Sequence, residues 1–297
     1  MCLLGQSCVF KEGEEMLEQM LGISISAKQI QRVSEYYGEQ LETQEQSPAP
    51  ALTKKEVDNP LYMMLDGGMV YTREEGWKEM KVGRMFYADD IVAIQENRRE
   101  VTHSLYVCHL GDHKEFFNKM EHYLQGYCGQ KICVADGAKW IWNWVDDHCS
   151  NTIQILDYYH AVEKIATYAR CRYPDEEERK QWMTVQKQHL LNNEVSAIIE
   201  NLKADKKGSK EAAKLREEAI RYYENNQSRM QYKTYLEKGY IIGSGAIESA
   251  NRNVVQQRLK LSGQRWTIRG AQQIVNLRAY KLSNRWSEVT AVIKKAA

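Results

Sequence analysis

Hydrophobic residues recur at two periods along this chain, and the change of period divides it. Residues 13–21 and 27–41 repeat their apolar positions at helical spacing, with Ile30, Val33 and Tyr37 on one face and Ser26 placed to cap the second helix. The turn Gly22-Ile23-Ser24 between them has the look of a helix-turn-helix. An ordinary helical hairpin is an equal reading, because Arg and Lys do not crowd the second helix. Residues 43–60, with Pro48, Pro50 and Pro60 among Glu, Gln, Lys and Asp, read as a linker.

Strand patterns follow. Residues 61–65 are continuously apolar and are expected to end at Asp66-Gly67-Gly68; 69–73 and 77–87 flank the turn Glu74-Glu75-Gly76, and 104–110 is a fourth strand. A helix is expected over 113–128. The short apolar run 132–135 is the kind that is buried on both faces, and Asp136-Gly137 ends it. A helix carrying Trp140, Trp142 and Trp144 and a strand over 152–158 complete a β-α-β unit. Asp136 therefore falls at the carboxyl end of a strand, where open α/β sheets keep their functional crevice. Beyond His160 only helical patterns remain, over 161–172, 175–204 and 209–237, then from 245 and over 267–282.

Composition changes this picture in one respect. Lys and Arg total 41 and Asp and Glu 40, but residues 229–297 hold thirteen cations and three anions, leaving 28 against 37 before them. A basic end on an acidic body suggests contact with a polyanion, although a solvated helix face has the same composition. The seven cysteines form no Cys-x-x-Cys pair, which fits a reducing compartment. No run reaches the ~18 apolar residues of a membrane span. The expectation is a soluble, cytoplasmic protein with no membrane partner.

Asp66, Asp136 and Glu248 stand at expected ends of ordered elements, flanked by Gly67, Gly68, Gly137, Gly243 and Gly245. Carboxylates so placed can hold hard divalent ions, two of which, ~3.5–4 Å apart, clamp the entering and leaving oxygens of a phosphoryl transfer. Missing side chains nearby would let a phosphodiester approach. Each acid also has a plain explanation. Asp-Gly is a common turn dipeptide, and Glu248 lies four residues before Arg252, an ordinary helix ion pair.

Taken together, LDGG at 65–68, VADGAKWIWN at 134–143, ILDYYHAVEKI at 155–165 and GSGAIESANRNVVQQRLKLSGQRWTIRGAQQIVNLRA at 243–279 resemble the transposases of the ISKra-type insertion-sequence group, which are DDE transposases. The resemblance runs from about residue 59 to 286. It implies a ribonuclease-H-like α/β core, a mixed sheet with helices, interrupted by a long helical insertion and preceded by a small helical segment. The parts would be a helical segment 1–42, a linker 43–60, the first part of the core 61–160, the insertion 161–238 and the last part of the core 239–297.

It further implies that Asp66, Asp136 and Glu248 form a catalytic triad holding two Mg²⁺ or Mn²⁺ ions. Asp157 and His160 match an Asp-x-x-His signature and would contact DNA or support the metal site; an equal reading makes His160 a satisfied histidine that closes the strand. Arg252, Arg258, Lys260, Arg265 and Arg269, with Arg278 beyond them, would grip phosphates. The tryptophans read as core first and base-stacking second. The implied function is transposition of a mobile DNA element by strand cleavage and strand transfer on double-stranded terminal repeats and target DNA, in a homo-oligomeric complex. The family's longer front region implies a shortened copy here. That leaves a second expectation, a truncated or domesticated remnant that binds DNA without catalysis.

Overall fold

The computed structural model describes residues 1–44, 59–95 and 98–296 of a mixed α/β chain. Most of the expected linker, residues 45–58, lies outside the described residues. The strands are β1 Leu61–Thr72, β2 Gly76–Tyr87, β3 Ile91–Gln95, β4 Arg98–Val101, β5 Leu105–Leu110, β6 Lys131–Ala135 and β7 Thr152–Leu156. A five-stranded sheet has the order β5-β2-β1-β6-β7, and β3-β4 is a separate ribbon. The chain divides into two compact units, Met1–Lys131 with Ala246–Ala297, and Ile132–Gly245.

In the first unit β1 and β2 pair antiparallel from Leu61↔Tyr87 to Thr72↔Gly76, and β2 pairs antiparallel with β5. Leu61, Tyr62, Met63, Met64 and Leu65 are all buried, as a strand covered on both faces requires. Helices α1 (Cys2–Ser7), α2 (Phe10–Leu21), α3 (Ala27–Gln44) and α4 (His113–Leu124) belong to this unit. Ser26 Oγ accepts from Gln29 N at 3.3 Å, as expected of its capping position.

After the strands, α11 (Gly245–Ala250) runs through a π-helical turn at Asn251–Gln256 into α12 (Gln257–Leu259), followed by α13 (Ile268–Leu282) and α14 (Trp286–Ala296). Every residue of α13 from Gly270 to Tyr280 is buried. Its polar side chains are spent on stitching: Gln272 Oε1 accepts from Leu110 N at 2.7 Å on β5, and Asn276 Nδ2 donates to Gly38 O at 3.1 Å on α3. A Cβ on Gly38 would stand 2.2 Å from the Gln273 carbonyl oxygen, so the approach of α3 to α13 needs glycine there.

The second unit starts from the expected β-α-β motif, β6, α5 (Lys139–His148) and β7. Trp142 and Trp144 are buried in it, as their reading as core requires. Helices α6 (Tyr158–Arg172), α7 (Glu176–Leu191), α8 (Val195–Ala204), α9 (Lys210–Asn226) and α10 (Tyr232–Glu237) follow. The single helix expected over 175–204 is broken at Asn193, which turns at φ 66°. Its side chain bridges to Thr234 Oγ1 at 2.9 Å and accepts from Lys233 N at 2.8 Å.

Candidate active site

In the second unit Asp136 is half-buried at the tip of β6, where its sequence placed it. Its Oδ1 accepts from Ala138 N at 2.9 Å and its carbonyl accepts from Trp142 Nε1 at 2.7 Å, so the chain is turned sharply into α5. Ala135, just before it, accepts at its carbonyl from Asp157 N at 2.8 Å. Asp157 is fully buried and caps α6, its Oδ1 accepting from Tyr159 N at 2.8 Å. His160 therefore lies in the first turn of a helix and does not close the strand, which stops at Leu156.

The other oxygen of Asp157 accepts from His160 Nδ1 at 2.6 Å and from Ser244 Oγ. Burial alone would raise the Asp157 pKa. The hydrogen bonds from His160, Ser244 and the Tyr159 amide outweigh it and hold the carboxyl below its usual range. His160 is driven up to about 9 by its bond to Asp157, against the opposing effect of burial, with the charges of Asp157 and Asp136 adding. At neutral pH it is an imidazolium within the field of Asp136.

Tyr222 on α9 stands over the same tip. A Cβ on Gly137 would come within 2.5 Å of its ring. Its hydroxyl is buried without a hydrogen-bond partner, and burial, with Asp136 next, drives its pKa well up. Tyr222 was not legible as a site residue, because it comes from a remote helical segment that carries no motif; Ser244 stands within the motif at 243–279, but nothing local ties it to Asp157, 87 residues away.

In the first unit Asp66 departs from its expected place. The strand does not end there: β1 continues through Asp66↔Val82, Gly67↔Lys81 and Gly68↔Met80 to Thr72, because β2 supplies a partner for each residue. Asp66 Oδ1 accepts from Gly67 N at 2.7 Å and Oδ2 accepts from Asn251 Nδ2. Asn251 lies 185 residues away in sequence and one helical turn after Glu248, which is exposed on α11. Arg84, buried on β2, donates through Nη1 to the Ala246 carbonyl at 2.8 Å and ties the start of α11 to the sheet. Asp66 and the Glu248 helix are thus joined inside one unit.

The expected cations divide into two groups. Arg252, Lys260, Arg265 and Arg269 are exposed, and Arg269 pairs with Glu39. Arg258 corrects the expectation of a phosphate contact, since it is 1% exposed, donates to Gly5 O at 2.9 Å and lies 4.7 Å from the ring centres of both Phe10 and Trp266. Burial and the charge of Arg278 lower its pKa to about 10. Arg278 is buried too, bonded to the carbonyls of Val254, Gln6 and Asn253. Both guanidiniums hold backbone together and face no solvent.

The flanking glycines need correcting as well. Cβ atoms at Gly67, Gly68 and Gly243 would meet Glu79, Asn251 and Tyr159, as one at Gly137 meets Tyr222; only Gly245 of the five faces open space. Their bareness serves packing more than access.

No model of a known protein family and no curated protein matches the chain. Among the described residues, no three His, Cys, Asp or Glu side chains form a ready cation cage, and no helix is long and apolar enough to cross a membrane. The oxygen chemistry nevertheless suits a hard cation. Asp66 and Glu248 are carboxylates, and Asn251 Oδ1 is a buried acceptor without a hydrogen-bond partner, as a cation-bound water would require.

Proposed function

We propose that the chain is a DDE transposase with a ribonuclease-H-like core interrupted by the helices of residues 161–238, in which Asp66, Asp136 and Glu248 hold two Mg²⁺ or Mn²⁺ ions. What carries the reading is the pair of supported acids: Asp66 linked through Asn251 to the helix of Glu248, and Asp136 within the field of a protonated His160. Bound divalent ions supply the Lewis acidity that activates water for cutting and the freed 3′-hydroxyl for joining.

The protein's own residues do the positioning. Asp157, itself held by the Ser244 hydroxyl, fixes the His160 ring, leaving Nε2 to donate to a phosphate oxygen. Arg252, Lys260, Arg265 and Arg269 neutralise duplex phosphates without reading sequence. The reading makes double-stranded DNA the partner, held by an oligomer of this chain.

The test is nicking of a labelled duplex carrying the DNA that flanks this reading frame, with Mg²⁺ or Mn²⁺. Wild type is expected to cut, and Asp66→Asn, Asp136→Asn and Glu248→Gln to fall to background while melting and gel-shift behaviour persist. A folded variant that cuts like wild type removes that residue from the site. A wild type that binds but never cuts makes the chain the non-catalytic remnant.

A further inference from the structure

The β1-β2 hairpin carries two aromatic side chains that its fold does not bury. Tyr71 and Trp77 are cross-strand partners, 5.4 Å apart between ring centres and edge-to-face at 84°, yet they are 38% and 63% exposed. The hairpin turn is well made, with Thr72 Oγ1 donating to Gly76 O at 2.9 Å and accepting from Glu75 N at 3.2 Å. The segment before α13 is laid against this end: Arg73 N donates to Trp266 O at 2.8 Å, Arg73 Nε to Arg265 O at 3.2 Å, and Trp266 N to Tyr71 O at 3.4 Å. The hairpin tip and residues 259–265 are therefore one assembly inside the first unit.

Between them lies a cleft of about 400 Å³ lined by Tyr71, Trp77, Lys260, Leu261, Gln264 and Arg265, among others. Its lining has two cations and no carboxylate. The Arg265 guanidinium lies 5.9 Å from the Tyr71 ring centre, and Leu261 is itself 39% exposed. Gln264 has a buried side-chain oxygen without a hydrogen-bond partner. An exposed indole costs hydration free energy that a folded chain normally avoids by burial, so a cluster of three exposed apolar side chains marks a surface with a use.

We propose that this cleft takes one unpaired nucleobase of DNA, stacked on Trp77, with its flanking phosphates on Lys260 and Arg265. A flat π surface accepts any base, and the cations supply the charge that a peptide or lipid tail would not need. A base can lay its face on the Trp77 ring only when that face is not covered by its own neighbours, so the base must leave its stack. The proposal rests on the DNA reading above but makes a separate claim, that the protein distinguishes an extrahelical base from a paired one.

Three labelled DNAs of equal length test it, an intact duplex, the same duplex with one extrahelical 2-aminopurine, and a single strand, with wild type, Trp77→Ala, Trp77→Phe and Lys260→Gln/Arg265→Gln. Wild type should prefer the extrahelical base and quench its emission. Trp77→Ala should weaken that complex by about tenfold, within the range of base stacking, without changing intact-duplex affinity. Trp77→Phe should keep most of the preference, and the double substitution should weaken all three DNAs. Equal affinity of wild type and Trp77→Ala for the extrahelical base overturns the cleft while leaving the transposase reading intact. A wild type that binds none of the three DNAs overturns both.

Discussion

At Asp66-Gly67 the backbone stays extended and paired, each residue opposite one on β2, whereas at Asp136-Gly137 it leaves the strand and turns into a helix. The local sequences are nearly alike, an apolar run followed by Asp-Gly. What differs is the partner. β2 offers an unbroken ladder to β1, and each further paired residue satisfies backbone groups that a turn would leave to water. Beyond Ala135 the Asp136 carboxylate takes Ala138 N and the Trp142 indole takes the Asp136 carbonyl, so the turn is satisfied instead. Asp-Gly permits either outcome. Tertiary pairing chooses, and it leaves one acid on a rigid sheet and the other on a turn whose support comes from helices.

That contrast predicts unequal tolerance to substitution. The largest effect is expected from Asp157→Ala, which removes the buttress behind Asp136. It deletes the cap of α6 and leaves Ser244 and the protonated His160 without their acceptor. We expect a loss of about 3 kcal/mol, short of the upper range for breaking a buried pair because the His160 side chain is 42% exposed and water screens it. The loss should depend on pH. The Asp157 carboxyl is held below its ordinary 3.8, so its share is present above that value and disappears as the pH falls. His160 is raised to about 9, so its share is present below 6.5 and disappears as the pH climbs through about 9. Urea unfolding at pH 3, 5.5 and 9.5 should give its greatest difference from wild type at the middle value; a pH-independent difference would mean that capping alone is at stake.

The two Asp-Gly glycines separate the comparison further. At Gly137 a methyl group would meet the Tyr222 ring at 2.5 Å, and a ring packed over a turn has little room to retreat. Overpacking of this kind costs about 1–3 kcal/mol. At Gly67 the obstacle is the Glu79 carboxylate at 2.2 Å, the far end of a flexible side chain, while alanine also restricts the unfolded chain. Thermal melting should therefore show Gly137→Ala clearly destabilised and Gly67→Ala within about 0.5 kcal/mol of wild type. Tyr222→Ala should relieve the first. Equal melting of the two glycine variants would erase the proposed difference between turn and strand.

The elements that were readable in the sequence are those whose causes are local. The β-α-β unit around Asp136, the Glu74-Glu75-Gly76 turn and the cap at Ser26 depend on a few neighbouring residues. The features that escaped depend on distant ones. Nothing near Arg258 announces that Phe10 and the Gly5 carbonyl, the latter 253 residues away, will enclose its charge. Nothing in LDGG tells that β2 will carry β1 past Asp66, or that Asn251 will meet it from a π-helical turn. The β3-β4 ribbon and α14 were missed for a plainer reason, as short or terminal amphipathic stretches give weak periodicity. Counting cations over 229–297 found a basic segment, but a count does not distinguish a guanidinium in solvent from one that holds three carbonyls, as Arg278 does.

The smallest effect on stability is expected at Asp66, and it sharpens the contrast most. Asp66 accepts from Gly67 N and from Asn251 Nδ2, while Asn251 Oδ1 has no hydrogen-bond partner. Replacing Asp66 by Asn keeps an oxygen for Gly67 N and brings an amide N–H to Asn251. Rotation of either amide can then pair N–H with oxygen, so the free acceptor gains a donor as the carboxylate is lost. Backbone shape is unaffected, because β2 and not the side chain keeps this stretch extended. The expected change is less than about 0.5 kcal/mol in urea unfolding, against a loss of cleavage to background in the nicking assay. Asn251→Asp should do the opposite to the fold, setting two carboxylates against each other and raising the pKa of one. Adding Mg²⁺ should restore stability to Asn251→Asp more than to wild type, since a cation relieves that repulsion. If Asp66→Asn instead costs 2 kcal/mol or more, the Asp66 charge is part of the fold, and its conservative loss could no longer be read as the loss of a metal ligand.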